Sequence, residues 1–199
     1  SAIVIDTTVP TITSFTSTTA DGSYKSAGTV NITATASEAV VATNTITATL
    51  DTSDNVTLTA ADNGTTLVGT YTVGAGDNSN DLTVSSFSIG TVTDIAGNAM
   101  ASTNVPGTNI ASGSAIVIDT TAPTVSGAVA ITGAGDQNNF LNVGDNVSVT
   151  VTFSEVVNKT GTPQLTLAVG SDNRTATYAS GTGYAPLVFT YTIQAGDND

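Results

Sequence analysis

Cysteine, histidine and tryptophan are absent from the sequence, and lysine and arginine together number only three. Without histidine or cysteine, the chain lacks the commonest general acid–base residue, a thiol nucleophile and the usual ligands of zinc and copper. The composition does not exclude a pair of catalytic carboxylates such as glycosidases use. Sugar-binding sites usually contain aromatic platforms, however, and only 5% of the residues are aromatic. We therefore expect that the protein is not an enzyme.

Positively charged residues are also scarce, since three lysines and arginines stand against 16 acidic residues. The formal net charge is −13, which makes nucleic acid an implausible partner because phosphate binding requires the opposite sign. The roles that remain for this negative charge are to keep the protein soluble and to bind cations. The lack of cysteine fits either a reducing compartment or a secreted protein without disulfides. No apolar run approaches the roughly 18 residues of a membrane span, so we expect no membrane insertion.

Threonine, serine, valine, alanine and glycine dominate what is present. Threonine and valine favour strands, and leucine, glutamate, lysine, arginine and glutamine are scarce, so the composition predicts an all-β protein. Hydrophobic residues make up 39% of the chain and charged residues 10%, a balance that is typical of a folded chain rather than a disordered one.

An internal repeat organises the chain: the segment 1–11, SAIVIDTTVPT, returns at 114–124 as SAIVIDTTAPT. The distance between the copies is that of an ordinary domain rather than of a solenoid unit of roughly 20–50 residues, which indicates domains in tandem. The proline in each copy fixes its own φ and holds the preceding residue extended. This pattern predicts a short, stiff junction between domains.

Other motifs repeat in the same order, and the second copy stops early. The Ser-Glu pair at 37–38 recurs at 154–155, and 70–78 recurs with two changes at 190–198. The second copy has no segment that corresponds to residues 82–118 of the first copy. We therefore predict three parts: residues 1–5 end the last strand of a preceding repeat, residues 6–118 form a complete repeat, and residues 119–199 form a repeat that lacks its last two strands.

Seven short runs in the complete repeat alternate apolar and polar residues, as strands with one buried face do. They are residues 12–15, 29–36, 45–50, 56–59, 67–73, 84–89 and 114–118. Asn63-Gly64 is a hairpin signal between the fourth and fifth runs, and 20–23 is predicted to be a turn. The second copy supplies five strands, at 124–131, 146–153, 164–169, 174–178 and 187–193. Seven strands in about a hundred residues predict tandem immunoglobulin-like β-sandwich domains with Greek-key topology, the second one truncated.

In such a sandwich the loops alternate between two ends, so the acidic residues should gather there. The leading end of the complete repeat holds Asp6, Glu38, Asp94 and Asn98. The trailing end holds Asp21, Asp77 and Asp81, which would face Asp119 and Glu155 of the next repeat. Carboxylate, amide and carbonyl oxygens suit a hard cation, and calcium accepts six to eight such ligands in loose geometry. The sequence therefore predicts calcium sites at the ends of the domains.

Turn chemistry is a simpler explanation for part of this pattern, because Asp, Asn, Gly and Ser favour turns. We prefer it for the acids in or beside hairpin turns, Asp51, Asp54 and Asp62. Glu38 and Glu155 end apolar strands with few other charges, where an unpaired carboxylate is costly, so a structural role and a ligand role stay equally open. Tyr71 and Tyr191 are predicted to be core or corner tyrosines rather than binding residues.

Six motifs follow a fixed order along nearly the whole chain. They are VIDTTAPT at 117–124, FSEVV at 153–157, GTPQLTL at 161–167, RTATY at 174–178, FTYTIQAGDND at 189–199 and TDIAGN at 93–98. In this combination they resemble the bacterial Ig-like repeats of very large, type I-secreted (RTX-type) surface adhesins. The resemblance implies extracellular extender domains that calcium makes rigid, placed in many copies between a cell-surface anchor and distal ligand-binding domains.

The resemblance also implies particular calcium ligands. Carried over residue by residue, they are Asp6, Glu38, Asp77, Asp94, Asn98, Asp119, Glu155 and Asp197. We add Asp81 because of its expected place at the trailing end. The second repeat lacks the Asp-x-x-Gly-Asn loop that Asp94 begins, so its leading-end site is short of ligands.

These expectations combine into one function. The chain would be structural extender repeats of a bacterial cell-surface adhesin, rigidified by Ca²⁺ at the interdomain junctions, that project distal adhesive domains for cell or biofilm adhesion. Its partners would be neighbouring repeats of the same chain. The alternative is an Ig-like binding module that itself recognises a polysaccharide, a surface or a sister chain, and the aromatic residues Tyr178, Tyr184 and Phe189 are the feature that would favour it.

Overall fold

The chain divides into two compact units, Ser1–Thr121 (unit 1) and Ala122–Asp199 (unit 2), in a computed structural model that describes residues 3–134 and 140–198. In their described residues both units consist of β-strands, and unit 1 adds a 3₁₀ turn at Ile110–Ser112. The predicted all-β class is therefore confirmed. No helix within the described ranges is long and apolar enough to span a membrane.

The described residues of unit 1 form two sheets. The larger one is antiparallel throughout and holds, in spatial order, β1 (Ile12–Thr16), β3 (Thr29–Ala36), β6 (Thr66–Thr72), β5 (Asn55–Ala60), β4 (Thr45–Leu50) and β8 (Val84–Thr91). The smaller one holds β2 (Gly22–Tyr24), β9 (Ile116–Asp119) and β7 (Asn78–Ser79). In it, β9 runs parallel to β2 and antiparallel to β7.

The core of unit 1 follows from the period of two along its strands. In β3 the side chains of Val30, Ile32 and Ala34 are fully buried, while the residues between them are partly exposed, as the alternation predicts. Ile116 and Ile118 of the smaller sheet belong to the same buried cluster. The two sheets therefore share one hydrophobic core, which gives unit 1 a sandwich-like character.

Two strands of unit 1 differ from the sequence prediction. Residues 20–23 were expected to form a turn, but Gly22–Tyr24 forms β2, and β7 was not predicted at all. Both are two or three residues long, and both obtain their pairing from β9, which is distant in sequence. Local patterns could not indicate them, because strands this short depend on tertiary pairing.

Unit 2 consists of one antiparallel sheet among its described residues. Its strands, in spatial order, are β10 (Ala130–Ala134), β11 (Asn146–Val157), β14 (Tyr184–Thr192), β13 (Asp172–Ser180) and β12 (Gln164–Val169). The predicted strand at 124–131 is wrong in its position: Val125 makes only an isolated bridge with Phe153, and Gly127 at φ +75° interrupts the extended backbone before β10 begins.

Candidate metal centre

A tight turn after β8 holds Asp94 inside unit 1. The N–H of Asp94 donates to the carbonyl of Asn98 at 3.0 Å, and Gly97 in the turn adopts φ +97°, which favours glycine. Asn98 in turn donates from its backbone N–H to Asp94 Oδ1 and from its side-chain Nδ2 to Asp94 Oδ2, each at 2.7 Å. Asp94 is only 2% exposed, so the turn fixes a buried carboxylate in one orientation.

Two other segments of unit 1 meet this turn. Val40 forms an isolated antiparallel bridge with Asp94, which brings the bend after β3, and with it Glu38, beside the turn. The link that precedes β1 arrives at the same place, because Asn98 Nδ2 also donates to the backbone carbonyl of Asp6 at 3.2 Å. Carboxylate oxygens of Asp6, Glu38 and Asp94 lie within 4.8 Å of one another. We call these three residues the acidic cluster.

One buried oxygen of the acidic cluster has no hydrogen-bond partner. Oε1 of Glu38 is buried and accepts no hydrogen bond, although a buried acceptor of this kind is normally satisfied. Burial and, after it, the negative charges of Asp6 and Asp94 raise the pKa of Glu38 above its ordinary value. Burial also acts to raise the pKa of Asp94, but hydrogen bonds from Asn98 and from the backbone of its turn prevail and lower that pKa.

No positively charged side chain of the described residues forms an ion pair with the acidic cluster. In residues 3–134 and 140–198, the only ion pairs are those of Arg174 with Asp172 and Asp197 in unit 2. Carboxylates at the spacing of the cluster repel one another, and a cation between them would replace that repulsion with attraction. It would also give Glu38 Oε1 the partner that it lacks. Because every donor is an oxygen, the residues fit a hard divalent cation such as Ca²⁺.

Two further predicted ligands, Asp77 and Asp197, are engaged inside their own units. The Tyr71 hydroxyl donates to Asp77 Oδ2 and the Tyr191 hydroxyl to Asp197 Oδ2, each at 2.5 Å. The same two oxygens also accept the backbone N–H three residues earlier, at 2.6 and 2.8 Å. Both tyrosines are buried, so their predicted role as core or corner residues is confirmed. The recurrence of Tyr and Asp six residues apart is the sequence signal that could have indicated these contacts.

Asp119 repeats the local structure of Asp6. The N–H of Thr121 donates to Asp119 Oδ1 at 3.0 Å, and the N–H of Thr8 donates to Asp6 Oδ1 at the same distance. Each aspartate therefore closes an Asx-turn immediately after the repeated Ile-Val-Ile segment.

Glu155 repeats the feature that distinguishes Glu38. Its Oε1 is also buried and without a partner, within unit 2. Asp81, by contrast, lies on unit 1 near Asp21, in a shallow depression lined by residues 111–115. Asp21 already accepts the N–H of Ala115 at 2.8 Å, and both aspartates are exposed, so neither resembles the buried, unpartnered carboxylate of Glu38.

The Tyr191–Asp197 contact predicts acid sensitivity in unit 2. The hydrogen bond from Tyr191, with help from the backbone of Gln194 and from Arg174, lowers the pKa of Asp197 from 3.8 to about 2. A carboxyl with a lower pKa in the folded state stabilises the fold above its unfolded pKa and loses that contribution as the pH falls through the folded value. We expect unit 2 to lose stability between about pH 4 and about pH 2, measured by hydrogen exchange of the β14 amides.

Asp197→Asn should flatten this acid dependence, because the titrating group is gone while an amide oxygen can still accept hydrogen bonds. Asp172→Asn is the matched control, since Asp172 is the other partner of Arg174 but is 57% exposed. Equal acid profiles for wild type and Asp197→Asn would contradict this prediction.

The three aromatic residues that would favour a binding module, Tyr178, Tyr184 and Phe189, offer little binding surface. Phe189 is buried in the core, and the ring of Tyr178 packs edge-on against it at 6.1 Å between centroids. Lys159 Nζ lies over the Tyr178 ring, 5.1 Å from its centroid. Of the three residues Tyr178, Tyr184 and Phe189, only Tyr184 presents most of its surface to solvent, so these three form no aromatic platform.

Comparison of the chain with models of protein families, with curated proteins and with solved structures finds no match.

Proposed function

We propose that the chain forms immunoglobulin-like extender repeats of a bacterial cell-surface adhesin, and that calcium held by the acidic cluster stiffens the link that enters unit 1. The observation that carries the calcium part is the buried, unpartnered Oε1 of Glu38, a residue whose carboxylate lies within 4.8 Å of those of Asp6 and Asp94. The repeated junction sequence and the order of the motifs carry the extender part.

The strand order of unit 1 supports the immunoglobulin-like part of the proposal. Strands β1, β3, β6 and β5 adjoin in the order of the A, B, E and D strands of a constant-type domain, and β4 pairs with β8 as strand C pairs with F. Two departures are that β4 also pairs with β5, which joins both groups of strands into one sheet, and that β9, in the place of strand G, belongs to the smaller sheet with β2 and β7.

The cation would act on the link before β1. Asp6 belongs to that link, whereas Glu38 and Asp94 belong to loops at the ends of core strands. A divalent cation supplies a shared positive charge at the cluster, and these residues would then tie the link to the body of unit 1. Without it, carboxylate repulsion would favour release of the link. In this function, stiffness and length matter, and no pocket is needed.

A calcium titration tests the proposal. Extracellular calcium modules bind with dissociation constants of roughly 10⁻⁴–10⁻³ M. At ten to a hundred times that concentration, one site would add about 1.4–2.7 kcal/mol to the free energy of unfolding. We expect calcium to raise the melting temperature of unit 1, chelation to reverse it, and magnesium to substitute poorly because it demands tighter octahedral geometry.

The absence of cysteine allows a direct measurement of the link. Val4→Cys creates a unique thiol, and a spin label attached there should become less mobile when calcium is added. Glu38→Gln keeps the side-chain size but removes one charge, so it should abolish both the calcium-induced stabilisation and the loss of label mobility. Asp62→Asn, at an exposed turn, is the matched control and should behave as the wild type. Label mobility that is the same in calcium and in chelator would overturn the proposal.

A further inference from the structure

The turn between β5 and β6 contains the only Asn-Gly pair of the sequence, Asn63-Gly64. Such a pair can rearrange without an enzyme, because the backbone nitrogen that follows an asparagine can attack its side-chain amide carbon and close a succinimide ring. Glycine at the second position favours this attack, since it has no Cβ and its backbone adopts conformations that other residues do not. The surrounding fold determines whether the two reacting groups are free to meet.

The attacking group, the backbone nitrogen of Gly64, is free of hydrogen bonds. Its N–H donates to no acceptor within the described part of the chain, and it lies outside the strand ladder because β6 begins only at Thr66. Asn63 is exposed, so water and hydroxide can reach the reacting groups. The nitrogen can therefore lose its proton to solvent without first breaking a contact within the protein.

The group under attack, the side-chain amide of Asn63, is polarised by the fold. Its Oδ1 accepts a hydrogen bond from the backbone N–H of Ala42 at 2.8 Å. Negative charge develops on this oxygen when a nitrogen adds to the amide carbon, and a backbone N–H already placed there stabilises that charge. The Ala42 N–H thus acts as a single oxyanion-hole donor for ring closure.

A second pair in unit 1, Asp21-Gly22, shows the opposite arrangement. An Asp-Gly pair closes the same ring through its carboxyl group, and this is the only such pair in the sequence. The N–H of Gly22, however, donates to the carbonyl of Ala115 at 3.0 Å, and Gly22 belongs to β2, which pairs with β9. Attack by this nitrogen would require that bond to break. The fold therefore protects Asp21 and leaves Asn63 able to react.

We propose that Asn63 is a site of spontaneous modification, which converts it to a mixture of aspartate and isoaspartate. The nitrogen of Gly64 gives its proton to hydroxide and bonds to Cγ of Asn63. The bond from Cγ to Nδ2 then breaks, and Nδ2 takes a proton from water and leaves as ammonia. A water molecule opens the ring at one of its two carbonyl carbons. Opening at Cγ gives aspartate, and opening at the backbone carbonyl carbon of residue 63 gives isoaspartate.

The two products differ in their effect on the bend after β3. The Asn63-Gly64 turn holds this bend, which carries Glu38, through two acceptors: Asn63 Oδ1 for the N–H of Ala42, and the Gly64 carbonyl for the N–H of Val40 at 2.9 Å. Aspartate keeps an oxygen in the place of Oδ1. Isoaspartate directs the main chain through Cβ and Cγ, which lengthens it by one atom, so the two acceptors no longer match the two donors. The isoaspartyl product therefore releases the bend.

Amide hydrogen exchange measures this consequence. In the isoaspartyl fraction, separated by chromatography, the amides of Val40 and Ala42 should exchange faster than in the unmodified protein, while those of β4 keep their protection. Freshly prepared Asn63→Asp has the charge of the products but a main chain of normal length, so it should protect both amides as the wild type does. Exchange in Asn63→Asp as fast as in the isoaspartyl fraction would contradict release by the lengthened chain.

The modification itself is tested by ageing the 199-residue chain in mildly alkaline buffer with chelator, so that the result does not depend on the acidic cluster. Mass spectrometry of peptide fragments locates each conversion and separates isoaspartate from aspartate. The chain unfolded in urea serves as the reference, in which both pairs should rearrange. We expect folding to slow the reaction strongly at Asp21 but little at Asn63, and the rate at Asn63 to rise with pH because the nitrogen must lose its proton. Protection of Asn63 by folding as strong as that of Asp21 would overturn the proposal.

Discussion

Val30→Asp is expected to unfold unit 1. Val30 lies in the middle of the larger sheet on β3, is fully buried and belongs to the main hydrophobic cluster. An aspartate there would lose the apolar contacts and place an unpaired carboxylate where no cation is available. The expected loss is more than about 4 kcal/mol, which is a large part of the 5–15 kcal/mol that typically stabilises a domain.

Thr33→Asp is the matched control, because it introduces the same side chain on the same strand but on the opposite face. Thr33 is partly exposed, so the expected loss is below about 1 kcal/mol. Thermal unfolding followed by circular dichroism would measure both variants. If they had equal effects, the burial pattern of β3 would not be the source of stability in unit 1.

Asp77→Ala is expected to destabilise unit 1 by about 3 kcal/mol, since hydrogen bonds to a charged group contribute roughly 1.5–3 kcal/mol each and Asp77 accepts two. The Tyr71 hydroxyl and the Gly74 N–H would both lose their acceptor. Burial, and then the neighbouring carboxylate, raises the pKa of Tyr71, so this hydroxyl remains a donor at all ordinary pH values. Its loss of a partner therefore cannot be relieved by ionisation.

A double-mutant cycle with Tyr71→Phe separates the two bonds. Phenylalanine keeps the buried ring but removes the donor, so Asp77→Ala should cost less in the Tyr71→Phe background than in the wild type. Denaturant unfolding gives the required free energies. Additive effects of the two substitutions would contradict a direct hydrogen bond between Tyr71 and Asp77. The loss should also be independent of calcium, which distinguishes Asp77 from the residues of the acidic cluster.

Sequence reasoning succeeded where alternation and turn chemistry act locally. The runs 29–36 and 45–50 were predicted with the bounds that the structure has, because their apolar residues recur at every second position. The antiparallel pairing of β5 with β6 around Asn63-Gly64 is also confirmed. Prediction failed where pairing is non-local, as in β2, and where one left-handed glycine, Gly127, interrupts an otherwise strand-like segment.

The same distinction applies to the candidate metal centre. Because loops alternate between the two ends of a β-sandwich, the sequence predicted that Asp6, Glu38 and Asp94 would meet at one end of unit 1. The structure brings these three residues together. The sequence could not predict that Glu38 Oε1 lacks a partner, since that depends on the position of every neighbouring donor. The order of the loops also could not predict that Asp77 accepts a hydrogen bond from Tyr71, because that order does not indicate which contacts a side chain makes within its own turn.

The parallel pairing of β2 with β9 determines how unit 1 would respond to tension. The chain enters β2 at Gly22 and leaves β9 beyond Ile118, so once β1 has separated from β3, a pull on the two ends of unit 1 draws β2 and β9 in opposite directions along their length. The hydrogen bonds between them lie across the direction of pull and share the load in shear, instead of opening one after another from an end. Rupture then requires the whole pair to slide at once. Under force, the lifetime of unit 1 depends on this unfolding barrier rather than on its equilibrium stability.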